Sequence, residues 1–142
     1  MKYNLEIEIS LPREKVFELF TSTENIYKWQ PSLQSFDHIS GNAGEVGAKS
    51  KMVHKMGKRT IEMVQTITEN NFPHEFSAIY EAKGVWNEVK NYFIEKDNKT
   101  IWKTEHEFKC KGFVKVLSIL SPKMFRKQSY KYMKDLKKYA EE

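Results

Sequence analysis

The sequence predicts an α+β fold in which a strongly bent, seven-stranded antiparallel sheet wraps around one long C-terminal helix, with two short helices after the first strand. Three observations carry this. Apolar residues recur every second position at the N-terminus and again from about Leu33 to Lys111. Between these stretches, from about Pro12 to Pro31, the period is helical, and it becomes helical again after Gly112. The strand-like region is interrupted only by short turn-forming segments, which join antiparallel neighbours and leave no room for crossovers.

In the opening segment Tyr3, Leu5, Ile7 and Ile9 alternate with Lys2, Asn4, Glu6, Glu8 and Ser10, the pattern of a half-buried strand. At "LPREKVFELF" Pro12 suits a first helical turn and Glu14 complements the helix N-terminus, while Val16, Phe17 and Phe20 share a face. A second short helix is expected from near Thr23, carrying Ile26, Tyr27 and Trp29 and stopping before Pro31. Six further strands follow, with breaks at "GNAGEVG", Met56-Gly57-Lys58-Arg59, "ENNFPH", Lys83-Gly84 and "DNK". Gly57-Lys58 fits a two-residue hairpin turn. In the C-terminal region Phe125, Ser129, Met133, Leu136 and Ala140 fall on one helical face, and most lysines fall elsewhere. Pro122 is expected to start this helix or to kink it against "FVKVLSIL".

At 142 residues, with no repeat, linker or low-complexity tract, the chain is expected to form a single domain, 1–142. Aromatic residues make up 13% against a mean hydropathy of -0.68, so the apolar surface is concentrated in rings and the exterior is charged. The N-terminus has no apolar stretch of the secretory kind, and no apolar run approaches the ~18 residues of a membrane span. The single cysteine, Cys110, excludes an internal disulfide, and a cytoplasmic location is expected. Asn98-Lys99-Thr100 is read as a turn.

The less charged side of each strand gives the expected inner face. It comprises Ser50, Met52, His54 and Met56; Ile61, Met63, Gln65 and Ile67; Phe76, Ala78, Tyr80 and Ala82; Val85, Asn87, Val89, Asn91 and Phe93; and Trp102, Thr104, His106, Phe108 and Cys110. Six of these, His54, Gln65, Asn87, Asn91, Thr104 and His106, fit plain core packing less easily. A dry core leaves such groups without partners, whereas a ligand pocket uses a few of them for orientation. No carboxylate shares the face with His106, which favours a hydrogen-bonded or ligand-orienting histidine over an acid-base catalyst. The four histidines never fall at i,i+4 spacing, so no metal or other cofactor is expected. "GNAGEVG" matches no phosphate-binding loop.

The net charge is +5, with lysines concentrated on the C-terminal helix. Interruption by Asp135, Glu141 and Glu142 favours a solvated helix face, and no specific nucleic-acid binding is expected.

Three segments carry a family resemblance: "LEIEISLPREKVFELFTSTENIYKWQPS", with its helix pair ending in Trp29-x-Pro31; "NKTIWKTEHEF"; and "YKYMKDLKKYAEE". Over essentially its full length the chain resembles the helix-grip superfamily of START domains, pollen-allergen-like proteins and the bacterial polyketide cyclase/dehydrase-like branch. The resemblance implies a cavity between sheet and long helix, with the short helices framing its mouth. It implies no activity, because fold alone does not carry one.

The expected function is binding, for transport or sequestration, of a small hydrophobic or amphipathic molecule such as a lipid or aromatic metabolite. The expected ligand-binding residues are Trp29, Met52, His54, Met63, Tyr80, Val89, Asn91, Phe93, Trp102, Thr104, His106, Phe108, Phe125 and Met133. Two alternatives stand beside it. One, implied by the cyclase branch, is a cyclase/dehydratase-like enzyme using His106 or Tyr80. The other is a protein- or membrane-interaction module acting through the basic C-terminal helix. The expected oligomeric state is a monomer or weak dimer.

Overall fold

The computed structural model describes Met1–Glu142 in full. Its elements run β1 (Lys2–Ile9), α1 (Arg13–Thr21), α2 (Ile26–Trp29), β2 (Leu33–Ser40), β3 (Lys49–Met56), β4 (Arg59–Asn71), β5 (Glu75–Ala82), β6 (Val85–Lys96), β7 (Lys99–Cys110), α3 (Gly112–Leu120) and α4 (Pro122–Ala140). The strands form one seven-stranded sheet in the order β1-β7-β6-β5-β4-β3-β2. Every neighbouring pair is antiparallel. The turns fall where the sequence places them. Met56 faces Arg59 across the Gly57-Lys58 turn, with Gly57 at φ 65°, and Lys96 faces Lys99 across Asp97-Asn98, both at positive φ as a tight hairpin requires.

Strand register arranges the inner face in rows. Phe93, Trp102 and Ile7 form one, and Phe76, Asn91, Thr104 and Leu5 form the next. A third holds Ile67, Ala78, Val89, His106 and Tyr3; a fourth holds Ser50, Gln65, Tyr80, Asn87 and Phe108. Beyond them lie Val85 and Cys110, opposite each other at the sheet's far end. The fourth strand, whose parity Val64 obscures, thus turns Ile61, Met63, Gln65 and Ile67 inward as predicted.

One end of this face is a packed aromatic core. Phe17 and Phe20 of α1 meet Phe76, Phe93 and Trp102 edge-on or tilted, with ring centroids 5.4–6.5 Å apart. From the other side α4 follows β1. The Tyr3 hydroxyl donates to the Phe125 carbonyl, Lys137 Nζ donates to the Glu8 carbonyl and the Ser10 N–H donates to the Glu141 carboxylate. This alignment buries Met133, Leu136 and Ala140.

The long C-terminal helix starts at Pro122, the first of the two outcomes expected there, and "FVKVLSIL" forms a separate helix before it. Ser121 leaves the helical region at φ -139°, and Pro122, which has no N–H to continue the preceding ladder, opens α4 as its first residue. Detached from the amphipathic run that follows it, α3 buries none of its residues.

Candidate functional site

Burial along the strands divides the inner face. On β5 Phe76 and Ala78 are buried, whereas Tyr80 and Ala82 are half-exposed. On β6 Asn91 and Phe93 are buried, and Val85, Asn87 and Val89 are not; on β7 the change falls between His106 and Phe108. α4 tracks the β1 edge and α1 packs on β6 and β7 at the opposite end, and the inner-face side chains of β4–β7 nearest α3 are only partly buried, forming a trough. Phe125 stands over it edge-on to Phe108, at 5.2 Å. On the far side a small cluster of Ile26, Leu33 and Met52, with Phe36, Met63 and Tyr80 against it, forms the lip. At the tip, Ile61, Met63, Ala82, Val85 and Val114 of α3 border a cleft of about 690 Å³ that the charged side chains of Lys51, Glu62, Glu81 and Lys83 line as well. A larger groove of about 950 Å³ runs around the β1 edge beside α4, where Asn4, Glu6, Lys103, Glu105, Arg126 and Lys127 make it polar and Leu5 and Thr104 of the inner face border it.

His106 lies where the packed and open halves meet, 8% exposed. Its ring stacks on Tyr3 at 4.7 Å and 18°. Its Nε2 lies 2.9 Å from Thr104 Oγ1, whose own proton is directed at the Met133 sulfur, 3.6 Å away. Thr104 therefore accepts, Nε2 carries the ring proton, and Nδ1 is a bare lone pair with no protein partner. Burial, reinforced by the Arg126 guanidinium, lowers the ring's pKa to about 4. At neutral pH the imidazole is uncharged. It holds an acceptor and has no proton to give from Nδ1, and its ring contacts include no carboxylate.

Asn87, one row further out and diagonal to His106, presents a second buried acceptor without a partner, Oδ1. A buried donor, Trp29 Nε1, is also unpaired, and lies on α2 beside Tyr132 at a ring separation of 4.7 Å. A fourth unpaired atom, Arg13 Nε, belongs to the N-terminus of α1 near His74 and is remote from this face.

Two phenols complete the polar lining. Gln65 Nε2 donates to Tyr80 Oη at 3.1 Å, and Gln30 Nε2 donates to Tyr132 Oη at 3.3 Å. Each hydroxyl proton is thereby left unengaged. Burial raises both phenol pKa values, and the Gln65 hydrogen bond only partly offsets this for Tyr80, so both stay neutral donors.

The structure separates the expected ligand-binding residues into two groups. Met63, Tyr80, Val89, Phe108 and Phe125 are half-exposed in the trough, and His54, held by Ser32 Oγ at 2.8 Å, lies at its rim. Trp29, Met52, Asn91, Phe93, Trp102, Thr104 and Met133 are instead packed core. Trp102 has no exposed surface, and its Nε1 donates to Asn91 Oδ1 at 3.0 Å while Asn91 Nδ2 donates to the Phe76 carbonyl at 3.0 Å. Both polar ends of Asn91 are thus hydrogen-bonded within the core. Thr104 is likewise engaged on both sides. Asn87 was legible as an inner-face residue, but its unpaired oxygen was not. Gln30 and Tyr132 carried no signal beyond their neighbourhood to Trp29 and to the α4 face.

No protein-family model matches the sequence, and no curated protein matches it. Solved structures do match in fold. The Zhui aromatase/cyclase of Streptomyces sp. R1128 aligns with a TM-score of 0.80 at 10% identity, over 99% of this chain and 93% of that one. A START superfamily protein from Mycobacterium smegmatis aligns at 0.82 and 9% identity, over 99% and 97%. Norcoclaurine synthase from Thalictrum flavum, in complex with dopamine and hydroxybenzaldehyde, aligns at 0.72 and 13% identity, over 98% and 85%. Such low identities speak for architecture alone, and on architecture they agree: this chain has the helix-grip fold, a seven-stranded antiparallel sheet with a long C-terminal helix.

Proposed function

We propose that the chain, acting as one domain, binds a small hydrophobic or amphipathic molecule in the open half of its inner face, and that this molecule carries at least one hydroxyl or amine donor. The observation that carries the reading is the pair of buried, unpaired acceptors, His106 Nδ1 and Asn87 Oδ1, on neighbouring strands under an apolar wall. Leaving such atoms unsatisfied costs about 1–3 kcal/mol each, so a donor supplied by a ligand recovers free energy that the fold alone forgoes. Met63, Val89, Phe108 and Phe125 supply the apolar contact. Burying about 300 Å² of ligand at ~25 cal/mol/Å² contributes roughly 7 kcal/mol gross, which immobilisation reduces to an affinity weaker than micromolar. That the fold neighbour norcoclaurine synthase was solved in complex with dopamine and hydroxybenzaldehyde supports the reading. The neutral, carboxylate-free setting of His106 supports binding over proton transfer as its role.

The test uses 2-naphthol against naphthalene, ligands of matched shape that differ by one donor. The hydroxyl compound is expected to bind roughly tenfold more tightly by calorimetry or fluorescence titration. Asn87→Leu and His106→Phe should each shrink that preference while leaving naphthalene affinity nearly unchanged. Equal affinities for the two compounds in the parent protein would remove the assignment.

A further inference from the structure

The side of α3 turned away from the sheet has no partner within the fold. Phe113, Val116, Ile119 and Leu120 are 69%, 48%, 69% and 74% exposed, and Met124 in the first turn of α4 adds another apolar side chain at 51%. Single exposed leucines are ordinary on a protein surface; five large apolar side chains on adjoining helical turns are a patch.

Its surroundings are predominantly basic, with Glu62 and Glu81 at the cleft beside Val114 and Glu6 and Glu105 in the groove beside Arg126 as the acidic exceptions. From Phe108 to Lys134 the chain has no acidic residue, and the same stretch holds Lys109, Lys111, Lys115, Lys123, Arg126, Lys127, Lys131 and Lys134. The β5–β6 turn adds Lys83, since the Lys111 N–H donates to the Gly84 carbonyl at 2.8 Å and so holds that turn against the start of α3. The exposed β3–β4 turn, with Lys58, Arg59 and the half-exposed Met56, belongs to the same end of the sheet.

A second copy of the chain is a poor occupant, because a two-fold contact through α3 brings this basic flank against itself. A protein partner would need a groove both shaped to this helix and acidic around it. An anionic bilayer meets both features together: apolar side chains enter the interface and lysines sit at the level of the phosphates, with no shape complement required. We infer that this end of the molecule docks on anionic lipid membranes, with α3 and Met124 entering the interface and the surrounding lysines engaging the headgroups. The inference stands on the surface of α3 and is independent of what the trough binds.

Co-sedimentation of the full chain with phosphatidylcholine vesicles, with and without phosphatidylglycerol, tests it. Binding to the anionic vesicles is expected to be at least about tenfold stronger and to weaken steeply as salt rises. The double variant Phe113→Ser with Leu120→Ser should cut it by about tenfold or more. Its thermal unfolding should not change, because neither side chain is buried. Lys115→Glu with Lys123→Glu should abolish the preference for anionic lipid. Equal binding to both vesicle types, or full binding by the serine variant, would overturn the inference. So would a dimer in sedimentation velocity that Leu120→Ser dissociates, if the parent protein fails to bind vesicles.

Discussion

Trp102→Ala is expected to lower unfolding free energy by about 4–5 kcal/mol, a large share of the total stability of a domain this size. Trp102 has no exposed surface and packs against Phe20 at 5.4 Å, Phe93 at 6.0 Å and Tyr132 at 6.2 Å, so removing the indole opens a cavity among rings that belong to three separate elements. It also leaves Asn91 Oδ1 without the only donor it has, since Asn91 uses its Nδ2 on the Phe76 carbonyl. Trp102→Phe separates the two effects. It keeps most of the ring contact and still orphans the oxygen, and should cost about 2 kcal/mol. Urea unfolding of the three proteins provides the check. A loss under about 2 kcal/mol for the alanine variant would mean that the indole faces a space the core does not fill. Trp102 would then rejoin the trough as a ligand contact.

The second large effect is a pH dependence carried by His106. The unfolded chain titrates this ring near 6.5 and the folded protein near 4. Between those values the unfolded state holds a proton that the folded state lacks, so stability rises with pH across the window. Read downward, the stabilisation is complete above about pH 7 and is lost progressively until the folded ring itself protonates near pH 4. The full span corresponds to about 3 kcal/mol. His106→Gln keeps a donor for Thr104 and removes the titration. Its stability relative to the parent should therefore be lowest near pH 7 and should improve by about 3 kcal/mol as pH falls to about 4. Parallel urea-unfolding curves for parent and variant across that range would show that burial does not hold the ring neutral. The lone pair on Nδ1 would then lose its standing as a ligand acceptor. His54, whose pKa burial also lowers, contributes equally to both proteins and cancels from the comparison.

Much of the fold was legible because strands and helices impose periods on a sequence. Trp102, Thr104, His106, Phe108 and Cys110 alternate with charged neighbours, and the register places all five on the face the alternation assigns them. The hairpins were legible for the same local reason: Gly57 and Asp97-Asn98 sit where the chain needs positive φ. The break at Pro122 was legible as a boundary between helical segments.

A period of two says which face a residue occupies and nothing about its position along the strand. That is why Trp102, Phe93 and Asn91 were grouped with Phe108 and Tyr80, although the first three are core and the last two line the trough. The dividing line is drawn by α1 and α4, elements distant in sequence, whose docking covers one end of the sheet and leaves the other open. Hydrogen-bond satisfaction is non-local in the same way: Asn91 and Asn87 share residue type and face. Asn91 meets the Trp102 indole, and the oxygen of Asn87 meets nothing.

The sequence by itself determined the element order, the inner face of each strand and the charged exterior, because these follow from local sterics and amphipathic periodicity. Only the tertiary structure decided which inner-face residues are sealed, which polar atoms remain unpaired and which apolar helix is left uncovered. Those properties depend on what long-range packing brings against each surface.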